Sequence, residues 1–210
     1  IIAAGAAMHY LSEAQHERLQ HLSSLSRIEE DRYVWLDRFT VRNLELFGSG
    51  NEQGRTLIDV VDQTVSPMGG RLLKRWLALP LKEETQINER LEAVGALLAD
   101  VELRDELHNL IAPIGDLERL ISKTAAGRIS PRETAQLKRA LQALEPVKEK
   151  LAKPENETLR QLAAAIDPCF AIRERIEREL HPDAPVLVNK GNVIAAGVDA
   201  ELDELRNLSS

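Results

Sequence analysis

Apolar residues recur at spacings of three and four along most of the chain and alternate at a spacing of two only briefly, which predicts helices almost throughout. The clearest run is Ile87, Leu91, Val94, Leu98 and Val101, an amphipathic helix starting near Thr85. Met8, Leu11, Leu19 and Leu22 predict another over residues 3–25. Further helical faces carry Leu117, Leu120, Ile121 and Thr124; then Leu137, Leu141, Leu144 and Leu151; then Cys169, Ile172, Ile176 and Leu180. Residues 33–36 read as a short strand-like run and residues 57–61 as a short helix or turn. Late in the chain the texture changes. Val186, Leu187 and Val188 are separated from Val193 and Ile194 by turn residues, which predicts a small β-hairpin near 186–195 before a last helix over 199–208.

Start and stop signals sharpen this pattern. In the stretch 64–81, Ser66 and Pro67 form a strong helix start, because the serine oxygen accepts an orphan amide and proline suits the first helical position. Leu72, Leu73, Trp76 and Leu77 form its apolar face, and Pro80 ends it. Gly69 and Gly70 weaken a helix start, so they imply a close approach there, most simply by another backbone. This helix is expected to be a core element packed from more than one side. Thr40 is expected to cap a helix through Phe47, and Asp116 another. Ser130 to Glu133 has the capping-box pattern. Pro146 should kink or end its helix.

Composition changes the picture little. Aromatic residues make up 3%, too few for a sandwich or barrel, and the fold class is all-α. The net charge of −7 gives no global basic field for nucleic acid. A single cysteine fits a reducing cytoplasm. The apolar start, residues 1–8, is too short to span a bilayer, and no membrane partner is expected. A chain opening on Ile-Ile-Ala-Ala looks like a piece of a longer protein.

Candidate chemistry is sparse. Gly48, Gly50 and Gly54 fail the dinucleotide fingerprint, because Gln53 stands where the third glycine belongs, and no lysine follows as in a P-loop. His9, Glu13 and His16 share a helical face, but a ferritin-like site needs a second Glu-x-x-His pair, which is missing. Cys169 reads as a small hydrophobe beside Phe170. Arg71, Lys74 and Arg75, with Lys138 and Arg139, could meet phosphates, yet on an acidic chain they read as solvated or paired. No catalytic, cofactor-binding or metal residue is assigned, and DNA-contacting residues stay open.

Several segments in order resemble one known family. They are Leu36-Asp37-x-x-Thr40-x-Arg42-Asn43-Leu44-Glu45-Leu46 and Asp62-x-Thr64-x-Ser66-Pro67-Met68-Gly69-x-Arg71-x-Leu73-x-x-Trp76-Leu77-x-x-Pro80-Leu81. Gly115-Asp116-Leu117-Glu118-Arg119, Ser130-Pro131-Arg132-Glu133 and Gly197-x-Asp199-x-Glu201-Leu202-Asp203-Glu204-Leu205-Arg206 follow. Together they are similar to the core and lever region of the MutS family of DNA mismatch repair proteins.

The resemblance implies a multihelical core, residues 1–115, and long lever helices leading to a clamp, residues 116–210. It implies a structural and allosteric segment, not itself an enzyme, that couples nucleotide state to a DNA-embracing clamp. The mismatch-reading, clamp and ATPase parts would lie elsewhere, with ATP and Mg in the last. Implied partners are mismatched double-stranded DNA, a second MutS subunit and a MutL-type protein. Ser66, Gly69, Arg71 and Trp76 in the core, with Asp116 and Arg119 at the lever root, are the expected structural or allosteric residues. Competing readings are a helical scaffold or oligomerisation module without a DNA role, a helical metalloenzyme, and a MutS-like paralogue outside mismatch repair.

Overall fold

A computed structural model describes residues 2–14, 22, 24, 30–51 and 53–208. Its regular elements are helices: α1 (Ile2–Glu13), α2 (Arg38–Asn43), α3 (Leu57–Val61), α4 (Pro67–Ala78), α5 (Glu84–Ala99), α6 (Val101–Ile111), α7 (Leu117–Ala125), α8 (Pro131–Ala152), α9 (Glu157–Ala165), α10 (Phe170–Glu179) and α11 (Ala200–Leu208). Among the described residues β-pairing is confined to two isolated bridges, so the chain is all-α.

The helix boundaries are set by side chains. Asp37, not Thr40, caps α2, accepting the Thr40 amide at 2.6 Å. The aspartate, in the position directly before the helix, reaches the amide of the third helical residue and so takes the capping place expected of Thr40. The spacing through Val101 spans two helices, because Asp100 ends α5 and caps α6 through the Leu103 amide at 2.9 Å. Ser130 and Glu133 form the expected box. Thr56 and Asp59 form a second, at 3.0 and 3.3 Å, from the same reciprocal geometry. Helix α8 runs through Pro146 without ending. Gln142, whose carbonyl would have bonded the missing amide, is exposed, and water can serve it there.

The hairpin expected near 186–195 does not form. Val188–Lys190 is a single 3₁₀ turn, and Ile194 pairs only with Leu180, across a bridge flanked by His181 N–H to Val193 O and Ala195 N–H to Glu179 O. The β-branched residues that suggested a strand, Val186 and Val188, lie exposed with no partner strand. A lone two-stranded ribbon is marginal in water, and the nearby helix end offers a better partner. The 33–36 run likewise makes one bridge, Tyr33 to Leu81.

The chain divides into two units. The larger comprises Ile28–Asp116 and Ala143–Pro168; the smaller comprises Ile1–Arg27, Leu117–Gln142 and Cys169–Ser210. The core of the larger is built from Leu103 and Leu107 of α6, Val147 and Leu151 of α8, and Leu159 and Ala163 of α9, with Leu46, Ile58 and Ile114. Leu159 is its deepest side chain, 1% exposed. In the smaller unit Leu137, Ala140, Leu141 and Ala184 are buried.

Helix α4 was expected at the centre of the core, packed on several sides, but it contains no fully buried residue. Leu73 and Leu77 are half-buried, while Leu72 and Trp76 face outward. The α6, α8 and α9 apolar faces supply the centre instead.

Candidate functional site

The first turn of α4 is folded around its own threonine. Asp62 Oδ1 accepts the Thr64 amide at 3.1 Å and the Thr64 hydroxyl at 2.6 Å, and these bonds hold the Asp62 carboxyl below its usual range. Ser66 Oγ then accepts the Gly69 amide at 3.1 Å, with Pro67 in the first helical position. A Cβ on Gly69 would stand 3.1 Å from Ser66 Oγ and 3.3 Å from Thr64 Cβ; one on Gly70 would stand 3.2 Å from Thr64 Oγ1. The paired glycines therefore admit the turn in front of their own helix, rather than a second backbone as expected.

Two contacts tie α4 to its surroundings. Arg71 donates from Nη1 to Asp116 Oδ2 at 2.9 Å and from Nη2 to Asp116 Oδ1 at 2.7 Å. Asp116 is the residue directly before α7, and it follows Gly115, whose φ of 73° is open to glycine at no steric cost. Both side chains are partly exposed, so the pair contributes on the order of 1 kcal/mol or less to stability. Its value is geometric: a two-pronged fork fixes orientation where a single ammonium would not. At the other end, the Arg90 guanidinium of α5 stacks 3.8 Å from the centre of the Trp76 ring. Trp76, expected in the core, is 38% exposed and is roofed by a cation instead of buried.

Behind this turn lies a cavity of about 420 Å³ lined by Ser66, Gly69, Leu97, Leu107, Leu151 and Leu159 among others. A second cavity of about 380 Å³, in the smaller unit, is lined chiefly by Leu137, Ile172, Ile176, Leu180 and Ile194. Both are apolar spaces. Their lining, rich in leucine and isoleucine, suits packing.

The sequence that builds this braced helix has relatives of known family. The family model described as MutS domain III matches residues 39–209. The chain belongs to the MutS family. It is 54% identical over 209 residues to the DNA mismatch repair protein MutS of Phocaeicola vulgatus, and 52% identical to those of Bacteroides fragilis, over 209 residues, and Flavobacterium psychrophilum, over 210. Each match covers all of this chain and 24% of the relative, so the chain spans about a quarter of the length of these curated MutS proteins.

Within this MutS domain III chain, Ser66, Gly69 and Arg71 share one turn and a half of α4, and Arg71 and Asp116 meet directly. Arg119 lies exposed in the first turn of α7. The basic residues weighed for phosphate contact are partly engaged: Arg71 with Asp116, and Lys138 with Glu177. Lys74 lies close enough to Asp59 and Asp62 to help hold both carboxyls low, after the dominant threonine hydrogen bonds.

The glycine loop is no phosphate cradle. Glu45 Oε1 accepts the Gly50 amide at 3.1 Å and the Ser49 hydroxyl at 2.9 Å, so a carboxylate occupies the place a phosphate would need. With no Walker-type lysine loop in the sequence, these residues do not fit ATP and Mg. His9 and Glu13 are exposed on α1, and His16 lies outside the described residues. Cys169 is half-buried and precedes α10 in a left-handed conformation, φ 51°.

Three contributors carried no role in the sequence reading. Arg90 gives no local sign that it will cover Trp76. Thr64 was legible only as part of a motif. The Thr56–Asp59 box had a usable signal, since threonine followed three residues later by a carboxylate is a capping pattern.

Proposed function

We propose that this chain is the mechanical middle of a MutS-type mismatch recognition ATPase, with residues 1–115 as core and 116–210 as lever, coupling nucleotide state to the DNA-embracing clamp. The observation that carries the reading is the Arg71–Asp116 fork, which holds the braced start of α4 to the residue from which α7 departs. A displacement of α4 is then passed to the root of α7 as a rotation, because a bidentate pair resists twisting. Ser66 and Gly69 set where α4 begins, Trp76 anchors its far end to α5, and Arg119 extends the lever root. The chain performs no chemistry in this scheme. ATP and Mg bind the ATPase part of the whole protein, whose partners are mismatched double-stranded DNA, a second subunit and a MutL-type protein, in the cytoplasm.

Replacing Asp116 by Asn in the full-length protein tests this. Loss of one charge-assisted prong should slow ATP-driven release from mismatched DNA several-fold, while ATP hydrolysis without DNA and the melting temperature stay near their starting values. Unchanged release would remove the fork from the coupling route.

A further inference from the structure

More space lies inside the larger unit than packing requires. Leu97 of α5, Leu107 and Ile111 of α6, Leu151 of α8, and Leu159 and Leu162 of α9 surround about 420 Å³ behind the first turn of α4. Packed interiors hold few spaces larger than a water molecule. An apolar space of about 150 Å³ already stays dry and takes up benzene, so this one has room for two fused rings or a short alkyl chain. Its walls offer water little, because Ser66 Oγ already accepts the Gly69 amide and the Thr64 hydroxyl already donates to Asp62.

The lining changes character toward the mouth. Leu107, Leu151 and Leu159 are buried and form the floor, whereas Gln63, Arg104 and His108 line the same space and are exposed. Arg104 and His108 stand one turn apart on α6, so they share a face of that helix. Arg104 donates from Nε and Nη2 to Asp105 Oδ1 at 3.1 and 3.0 Å, which leaves Nη1 for a further acceptor. The Gln63 amide and the His108 ring add donors. Among the described residues no carboxylate lines the cavity, so the mouth suits an anion better than a cation. An apolar floor with a few convergent donors at the rim is the build of a small-molecule site.

We propose that this cavity binds a small apolar carboxylate, its rings or chain among Leu107, Leu151 and Leu159 and its carboxylate at Arg104 and His108. Asp105 offsets part of the Arg104 charge, so a bare inorganic anion gains little there and the apolar body supplies most of the affinity. The inference stands apart from the coupling role proposed above.

The test is calorimetric titration of the full-length protein that contains this chain, with 2-naphthoate and with 2-naphthylmethanol, its uncharged counterpart. 2-Naphthoate should bind once per chain and more tightly than the alcohol. Ala93→Phe sets a ring into the cavity from α5 and should weaken binding about tenfold or more. Leu162→Trp narrows the mouth from a position 49% exposed, where folding does not depend on it, and should weaken binding likewise. Should Ala93→Phe fail to fold, Leu162→Trp decides alone. Arg104→Gln should weaken 2-naphthoate about fivefold and leave 2-naphthylmethanol within about twofold. Absence of 2-naphthoate binding overturns the proposal. So does binding that neither filled variant weakens, which would put the ligand elsewhere in the protein. Equal losses of both probes in Arg104→Gln, or no loss of either, would remove the carboxylate end and overturn it too.

Discussion

In the larger unit Leu103, Leu107, Val147, Leu151, Leu159 and Ala163 are buried on three helices, whereas the smaller unit buries Leu137, Ala140, Leu141 and Ala184 among its described residues. Among its described residues the smaller unit adds a set of polar staples to this burial. Lys123 and Lys138 pair with Glu133 and Glu177, Arg175 meets Glu179 at 3.1 Å, and Arg206 donates to Asp203 and to the Ile194 carbonyl. Asp203 also accepts the Gly197 amide at 2.6 Å. Burial is proportional to area and indifferent to direction, so it makes a stable centre. Hydrogen-bonded ion pairs add little net energy at a surface but fix angles, which suits helices that must keep their orientation. The two units should therefore respond differently to the same insults.

The largest difference is expected from core truncation. Leu159→Ala removes a fully buried side chain and should cost about 2–5 kcal/mol in urea unfolding, while Ile172→Ala in the smaller unit, at a position 53% exposed, should cost less than about 1 kcal/mol. Comparable losses would erase the distinction. Next in size is overfilling the start of α4. Gly69→Val forces a branched side chain toward Ser66 Oγ and Thr64 and should cost about 1–3 kcal/mol in the same assay. A neutral result would mean that the Thr64 turn gives way freely.

In the smaller unit, Ser130→Ala should lower stability by about 1 kcal/mol by opening the α8 box. The smallest effect is on pH dependence. The Lys123 hydrogen bond, with that of the Ser130 amide, draws the Glu133 carboxyl down from 4.5 to about 2. A carboxylate with a lowered folded pKa stabilises above its unfolded value and loses that contribution as pH falls through the folded one. The α7–α8 staple is thus present at neutral pH and lost between about 4.5 and 2. Acid titration of helicity should be flatter over that window in Glu133→Gln than in the parent, and identical curves would mean the staple carries no linkage.

Much of the fold was legible because helices announce themselves locally. Three-and-four spacing placed the main apolar faces, and the Ser66 and Ser130 caps are where their neighbours required them. Local rules failed where a partner decided the outcome. Val186 and Val188 favour a strand, but with no strand beside them the chain takes a 3₁₀ turn, and Ile194 joins the end of α10. Pro146 disfavours helix, yet α8 continues through it. Periodicity along α5 identified an apolar stripe but not which side of the helix is covered. The site was legible in parts. Arg71 and Asp116 were each singled out, but they are 45 positions apart and no local pattern could join them.

The central claim is that the fork between α4 and the root of α7 carries orientation as well as stability. The most direct measurement is ATP-driven release from mismatched DNA in the full-length protein for Arg71→Asp, Asp116→Arg and the two together. Each single reversal sets like charges together and should slow release, and the exchanged pair should recover a large part of the loss. Single variants that release DNA at the parent rate, or a double variant as slow as the worse single one despite an unchanged melting temperature, would contradict it.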